Sequence, residues 1–190
     1  EMGRILKILS PCGILGYGFP KTSFLKALED RPNAIVVDAG STDAGPHKLG
    51  AGVSIVSRMA CKKDLYLLIK GSKSLNIPLV IGSAGGSGGR VHVEWTVDII
   101  KEILDEEKLS SRLAVIWADI SRGRIKDAID IGEIEPMGSN IPKLDKNIVE
   151  DTTSVVAQMG AEPILEALEQ GAEIIVCGRA YDPAPFAAIG

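Results

Sequence analysis

The sequence predicts an open, doubly wound α/β domain with a mainly parallel sheet of about five strands and helices on both faces. Five short, nearly uninterrupted apolar runs indicate the sheet, because such runs are typical of strands buried on both faces. Amphipathic segments separate the runs, and strands that alternate with helices favour a doubly wound arrangement. The predicted strands cover residues 5–9, 34–37, 79–81, 113–117 and 174–176.

The helices between these strands are predicted from apolar periodicity and from residues typical of helix ends. From about residue 92 to residue 107, apolar residues share one side of a helix and charged residues take the other. Further helices are predicted over about residues 20–30, from Ser121 to about residue 130, and between Pro163 and Gly171. Residues 132–149 are the least regular, and we expect them to form an excursion over the sheet edge.

Composition and charge limit the class of protein. The chain has 190 residues, 45% of them hydrophobic, so we expect a single domain over residues 1–190. A net charge of −4 and an aromatic content of 4% argue against nucleic acid as a partner. No apolar run approaches the roughly 18 residues of a membrane span, and no secretory signal pattern opens the chain. Three cysteines without metal-ligand spacing fit the expectation of a cytoplasmic, reduced protein that has no metal site and no membrane association.

Glycine-rich polar loops follow four of the five predicted strands, and both histidines lie in or beside these loops. The connections at the opposite strand ends are ordinary acidic and lysine-bearing turns. Ligands of open parallel sheets bind beyond the carboxyl ends of the strands. The asymmetry therefore predicts a site at that edge.

The loop after the third predicted strand reads GSAGGSGGR and predicts an anion site. Backbone N–H groups freed of side chains can converge on an anion, the following helix directs its positive end the same way, and an arginine adds a guanidinium. The alternative is a tight strand-to-helix turn in which small residues serve packing alone. The loop has neither a P-loop nor a GxGxxG pattern, so no NAD or FAD fingerprint is present and the cofactor stays open. The candidate ligand-binding residues are Ser83, Gly85, Gly86, Ser87, Gly88, Gly89 and Arg90.

The loop after the second predicted strand, DAGSTDAGPH, supplies candidates for proton transfer. Asp38 and Asp43 lie where burial and neighbouring charges shift carboxyl pKa values, and His47 can exchange protons near neutral pH. Ser41 and Thr42 are candidates for substrate binding in the same loop. Alternatively, the aspartate and serine side chains hydrogen-bond the loop backbone, as is common in turns. The spacing matches no dedicated metal motif.

Three further groups have two interpretations each. His92 either faces the crevice as a fourth catalytic candidate or packs in the interior. Arg179 and Asp182, in the loop CGRAYDP, either bind substrate or pair with each other. Cys12 and Cys177 each precede a glycine at a strand end, as nucleophiles or, more commonly for such residues, as small buried thiols.

Three blocks of the sequence resemble the acyclic terpene utilisation (AtuA, formerly DUF1446) family: VVDAGSTDAGP, IPLVIGSAGGSGGRVHVEWTVDIIKEI and MGAEPILEALEQGAEIIVCGRAYDPAPFAA. The resemblance implies a link with bacterial degradation of citronellol and geraniol through branched acyl-CoA intermediates. Proteins of this family are usually much longer, so we expect this chain to be either a part of a longer architecture or a short variant. A homo-oligomer or a partner subunit would then cover an exposed face of the sheet.

Two functional hypotheses from different classes follow. The first is an enzyme of lyase or hydrolase type that acts on a small anionic substrate, such as an acyl-CoA or a carboxylate. The alternative is a non-catalytic module for anion binding or assembly. A catalytic site requires an imidazole and a carboxylate within hydrogen-bond reach beside the glycine-rich loop, which distinguishes the two.

Overall fold

The computed structural model describes residues 5–40 and 45–190 and confirms the predicted α/β class. Five parallel strands form one sheet in the order β1-β2-β3-β5-β4. Neighbouring strands pair in a continuous register, for example Val37 with Ile81 and Ile81 with Val176. The strands are β1 (Ile8–Leu9), β2 (Ala34–Asp38), β3 (Leu79–Gly82), β4 (Leu113–Ile116) and β5 (Ile174–Cys177).

Eight helices occur in the described part of the chain, and they fill most of the connections between strands. Helices α3, α5 and α6 begin at side-chain caps, where the Ser57, Ser121 and Asp145 side chains accept hydrogen bonds from backbone N–H groups three residues on. The helices are α1 (Lys21–Glu29), α2 (Gly45–Ala51), α3 (Arg58–Leu75), α4 (Arg90–Glu106), α5 (Arg122–Asp130), α6 (Lys146–Asp151), α7 (Glu162–Glu169) and α8 (Ala184–Ala187). In the described residues, every helix is too short or too polar to cross a bilayer.

The two faces of the sheet carry separate apolar cores, because successive side chains of a strand point to opposite faces. On one face, Val37, Ile81 and Val176 pack against α1, α3 and α4. On the other face, the intervening strand residues pack against α7 and α8, where Ile164 is fully buried. Helix α8 contacts β2 and β3, and α7 contacts β4 and β5.

The connections after β3 and β5 leave toward opposite faces although these strands are neighbours. Strand β3 leads into α4 on the first face, whereas β5 leads into α8 on the second. Such a reversal of direction opens a crevice at the carboxyl ends of the two strands. The glycine-rich loop at residues 82–89 and the loop at residues 178–182 therefore meet there.

Candidate functional site

The glycine-rich loop is a tightly packed connection between β3 and α4. Residues 82–89 are all buried. A Cβ added at Gly86 would lie 2.8 Å from the Ile55 side chain, and one at Gly88 would lie 2.2 Å from the backbone nitrogen of Arg179. Close approach of neighbouring segments therefore accounts for at least these two glycines. The packing interpretation of the loop has direct support, and anion binding by its backbone N–H groups stays a prediction.

Hydrogen bonds join this loop to the one that follows β5. Ser83 N donates to Gly178 O at 3.2 Å, and Arg179 N donates to Gly88 O at 3.0 Å. The Ser83 hydroxyl, itself buried, accepts from Ala180 N at 3.0 Å. These hydrogen bonds involve Gly178, Arg179 and Ala180, so they hold the backbone of Arg179 against the glycine-rich loop.

A cavity of about 620 Å³ lies beside this junction. Its volume is within the range of small-molecule sites, roughly 300–1,000 Å³. Helix α2 forms one wall and residues 151–158 form another. Its lining residues are Gly45, Pro46, Leu49, Gly50, Ser87, Asp151, Thr152, Thr153, Ser154, Val156, Gln158 and Arg179.

Two charged residues line this cavity, the acidic Asp151 and the basic Arg179. The Arg179 side chain is only 12% exposed, and the Asp38 carboxylate at the end of β2 attracts it. Asp182 is the one described carboxylate within 4 Å of the guanidinium, at 3.9 Å from Nη2. That distance is too long for a hydrogen bond. A guanidinium that is mostly buried and weakly paired costs free energy unless further hydrogen-bond acceptors or an anion lie beside it.

Asp38 lies close to the same guanidinium at the end of β2. Its Oδ1 accepts a hydrogen bond from Gly40 N at 2.7 Å. Burial raises the pKa of Asp38, and the charge of Asp182 adds to this, whereas the Gly40 hydrogen bond and Arg179 lower it. Since burial has the largest effect, the Asp38 carboxyl holds its proton more readily than an ordinary aspartate does.

His92 is a buried residue that contacts backbone carbonyls. It is 2% exposed, and its Nε2 lies 3.1 Å from Lys48 O and 3.0 Å from Val53 O. Both partners are acceptors, so Nε2 carries the proton, while Nδ1 is buried without a partner among the described residues. The described part of the site therefore contains no contact between this imidazole and a carboxylate. His47 lies exposed on α2.

Arg90 lies outside the cavity lining. Its guanidinium carbon is 4.1 Å from the centre of the Trp117 ring, and Nη1 is 3.8 Å from Glu94 Oε1. Its backbone nitrogen donates to Asp119 Oδ2 at 3.1 Å. With 53% of its side chain exposed, Arg90 is a surface group stacked on an aromatic ring.

The remaining candidates are distributed as follows. Ser41, Thr42 and Asp43 lie outside the described residues. Burial raises the pKa of both Cys12 and Cys177 to about 12, which keeps these thiols protonated at neutral pH and favours their interpretation as inert thiols. No three His, Cys, Asp or Glu side chains in residues 5–40 and 45–190 are grouped so that they could hold a metal ion.

One wall of the cavity comes from a segment that sequence analysis did not identify. Thr153, Ser154 and Gln158 line the cavity after α6. The segment is held across the sheet edge by Ala157 N donating to Ala118 O at 2.8 Å and by Met159 N donating to Arg179 O at 3.0 Å. The polar run TTS in a loop was the available signal, since binding residues lie disproportionately on loops.

Comparison with protein families gives one match. Residues 77–190, more than half of the chain, match the family described as "Acyclic terpene utilisation family protein AtuA". The resemblance stated from the sequence is thereby confirmed, and the matched region includes both loops that meet at the crevice. A comparison with curated proteins finds no match.

Proposed function

The chain belongs to the acyclic terpene utilisation (AtuA) family, and we propose that it binds a small anionic ligand, such as a carboxylate or an acyl-CoA, in the cavity between α2 and residues 151–158. Arg179 is the anchor for the charged group. The observation that supports this most strongly is the guanidinium itself, which is 12% exposed and has its nearest described carboxylate oxygen at 3.9 Å. Ser87, at the centre of the glycine-rich loop, provides a hydroxyl on the same cavity wall.

The rest of the cavity supports an organic ligand rather than a bare ion. Pro46, Leu49 and Val156 give apolar surface, and Thr153 and Gln158 add polar groups. Small-molecule sites combine mostly apolar walls with a few polar groups that fix orientation. A ligand with one acidic group and a hydrocarbon part matches this division.

The enzymatic form of the proposal assigns proton transfer to Asp38. Its raised pKa brings the carboxyl closer to the neutral range in which a general acid or base works best. Asp38 lies outside the cavity lining but close to the Arg179 guanidinium, so in a lyase or hydrolase it would serve a ligand whose charged group reaches Arg179. His47, on α2, and Asp43, outside the described residues, stay candidates for proton transfer.

The position of His92 favours the alternative, a non-catalytic ligand-binding or assembly module. Its Nε2 contacts two backbone carbonyls at 3.0 and 3.1 Å, so this ring is occupied with holding the chain. The imidazole–carboxylate pair that the sequence hypothesis required is thus absent at His92 within the described residues. Binding is common to both alternatives, and turnover distinguishes them.

A thermal-shift titration tests the binding proposal with inorganic phosphate, short dicarboxylates and acyl-CoAs. A ligand stabilises by RT ln(1 + [L]/Kd), so the melting temperature should rise with its concentration. Arg179→Gln should raise the Kd obtained from the titration about tenfold or more, because a hydrogen bond to a charged group contributes about 1.5–3 kcal/mol. Arg124→Gln, on the exposed side of α5, is the matched control, and Arg90→Gln tests the other guanidinium.

The outcomes separate cleanly. An unchanged Kd in Arg179→Gln would contradict the role of Arg179 as the anchor. Weaker binding in Arg90→Gln alone would assign the anion site to Arg90 instead. Mass spectrometry of acyl-CoAs incubated with the protein then tests turnover. Turnover that Asp38→Asn abolishes while binding persists supports the enzyme, whereas binding without any product supports the module.

A further inference from the structure

We propose that α2 is a lid over the ligand cavity and that His92 is the latch that fastens it. The inference concerns regulation of the cavity described above and rests, for its effect on ligand, on the proposed function. His92 is a positioning residue, since its ring contacts the backbone of the lid and lies outside the cavity lining.

The lid is held weakly by packing. Helix α2 has seven residues and none of them is buried. Leu49 lies against the glycine-rich loop, with its Cδ1 2.9 Å from the position that a Cβ on Gly89 would occupy. On the far side of the cavity, Thr153 Oγ1 lies 3.3 Å from the corresponding position at Gly50. A helix with no buried side chain gains little hydrophobic stabilisation, so its position depends on hydrogen bonds.

The hydrogen bonds that hold the lid converge on its C-terminal end. The single Nε2 proton of His92 is shared between Lys48 O, in the last turn of α2, and Val53 O, just beyond it. Val53 N also donates to Lys48 O at 3.3 Å, so the two carbonyl groups that His92 contacts belong to one hydrogen-bonded turn. At the other end, the Ser87 hydroxyl is 3.4 Å from Gly45 O, which is a weak bond.

The unpartnered Nδ1 atom shows that only the Nε2–H group of the imidazole takes part in hydrogen bonds within the described residues. Within the described residues Nδ1 is buried and makes no hydrogen bond, so the ring contributes only an N–H at the ε position. A glutamine places an amide N–H at nearly the same distance along the side chain, whereas an asparagine places it at the δ position. The two amides therefore separate the latch from a general requirement for a polar side chain.

Opening and closing of the lid would control access to Arg179. Residues 45, 46, 49 and 50 of the lid line the cavity together with Arg179 and Ser87. A ligand that touches both walls favours the closed lid, and the latch favours it independently. Binding and the His92 bond should therefore reinforce one another, because each reduces the freedom that the other must restrict.

Hydrogen–deuterium exchange of the full chain tests the latch without any ligand. His92→Leu and His92→Asn should accelerate exchange in residues 45–53 by roughly fivefold or more, the equivalent of one lost hydrogen bond. His92→Gln should keep exchange close to that of the unchanged protein. Thr96→Val is the matched control, because it removes the buried hydrogen bond from Thr96 Oγ1 to His92 O on the same helix without touching the lid.

The same variants are then titrated with inorganic phosphate and with a short-chain acyl-CoA. His92→Leu and His92→Asn should weaken binding severalfold, while His92→Gln and Thr96→Val should retain it. Equal exchange in residues 45–53 for the glutamine, asparagine and leucine variants would overturn the latch, and so would equal acceleration in Thr96→Val. If the unchanged protein binds neither these probes nor the short dicarboxylates of the first titration, the proposed function fails, while the exchange data still decide whether His92 fastens α2.

Discussion

The side of the sheet where the strands begin, the amino edge, and the side where they end, the carboxyl edge, shift the pKa of a carboxyl group in opposite directions. At the amino edge, Glu173 precedes β5 and receives hydrogen bonds from Lys73 Nζ at 2.9 Å and Arg112 N at 2.7 Å. The backbone hydrogen bond from Arg112, and after it the one from Lys73, lower the pKa of Glu173. At the carboxyl edge, Asp38 ends β2 beside Arg179, yet burial outweighs its partners and raises its pKa.

This difference separates charges that stabilise the fold from charges that the fold tolerates. A carboxylate whose pKa is lowered is more stable as an ion in the folded protein than in the unfolded chain. One whose pKa is raised costs free energy when ionised. Perturbed groups of the second kind gather at functional sites, so the carboxyl edge is the place to expect ligand chemistry.

The largest effect in this comparison is expected at Gly88, where the two loops of the carboxyl edge touch. Its φ is +68°, and an added Cβ would lie 2.2 Å from Arg179 N. A left-handed conformation costs a non-glycine residue about 1–2 kcal/mol, and overpacking adds about 1–3 kcal/mol. Gly88→Ala should therefore lower the free energy of unfolding by roughly 2–5 kcal/mol in urea denaturation.

A glycine in an open position provides the control. A Cβ at Gly123 in α5 would meet nothing within 4 Å, and φ is not positive there. Gly123→Ala should be neutral or slightly stabilising, because alanine favours the helix. If both variants unfold at the same urea concentration, the carboxyl edge is not the close-packed junction described above.

The strands could be predicted from sequence because their signal is local. Runs rich in Val and Ile identified all five, and the structure pairs all of them in parallel. The first predicted strand, residues 5–9, is longer than the observed pair Ile8–Leu9, because it lies at the sheet edge, where Ile5 is 79% exposed. Helix α3 was not individually predicted, although Ser57 caps its start and Asn76 adopts the left-handed conformation at its end.

The candidate site was harder to predict, because the positions of its side chains depend on how the loops pack against each other. Arg90 and Arg179 both lie in or beside glycine-rich loops, and nothing local distinguishes them. Trp117 offers an aromatic face that holds Arg90 at the surface, whereas the contact with Gly88 holds the Arg179 backbone at the cavity. Both contacts join residues distant in sequence, as does the hydrogen bond from His92 to Val53.

A medium effect is expected at the amino edge, where Glu173→Gln removes a carboxylate that has two donors. The variant should lose on the order of 1 kcal/mol of stability at neutral pH. A lowered folded-state pKa means that this stability is present above the ordinary value of 4.5 and is lost as pH falls through the folded-state value. The difference in melting temperature between the two proteins should therefore shrink as the pH falls below 4.5.

The amino-edge prediction has its own control and its own contrary result. Glu169→Gln, in the last residues of α7, changes the same charge without these bonds and should leave the melting temperature nearly unchanged. A constant difference between Glu173→Gln and the unchanged protein from pH 7 to pH 3 would show that the ionised form of Glu173 is not what stabilises this edge.

The smallest effect, and the one of opposite sign, is expected for Asp38→Asn. Because the folded-state pKa is raised, ionised Asp38 destabilises the fold above that pKa, and the penalty disappears below the ordinary value of 3.8, where the carboxyl is protonated in both states. Asparagine keeps an oxygen that can accept from Gly40 N. The variant should therefore melt slightly higher than the unchanged protein at pH 7 and equally near pH 3. A lower melting temperature at pH 7 would mean that attraction to Arg179 outweighs burial, and the two edges of the sheet would then handle their carboxylates alike.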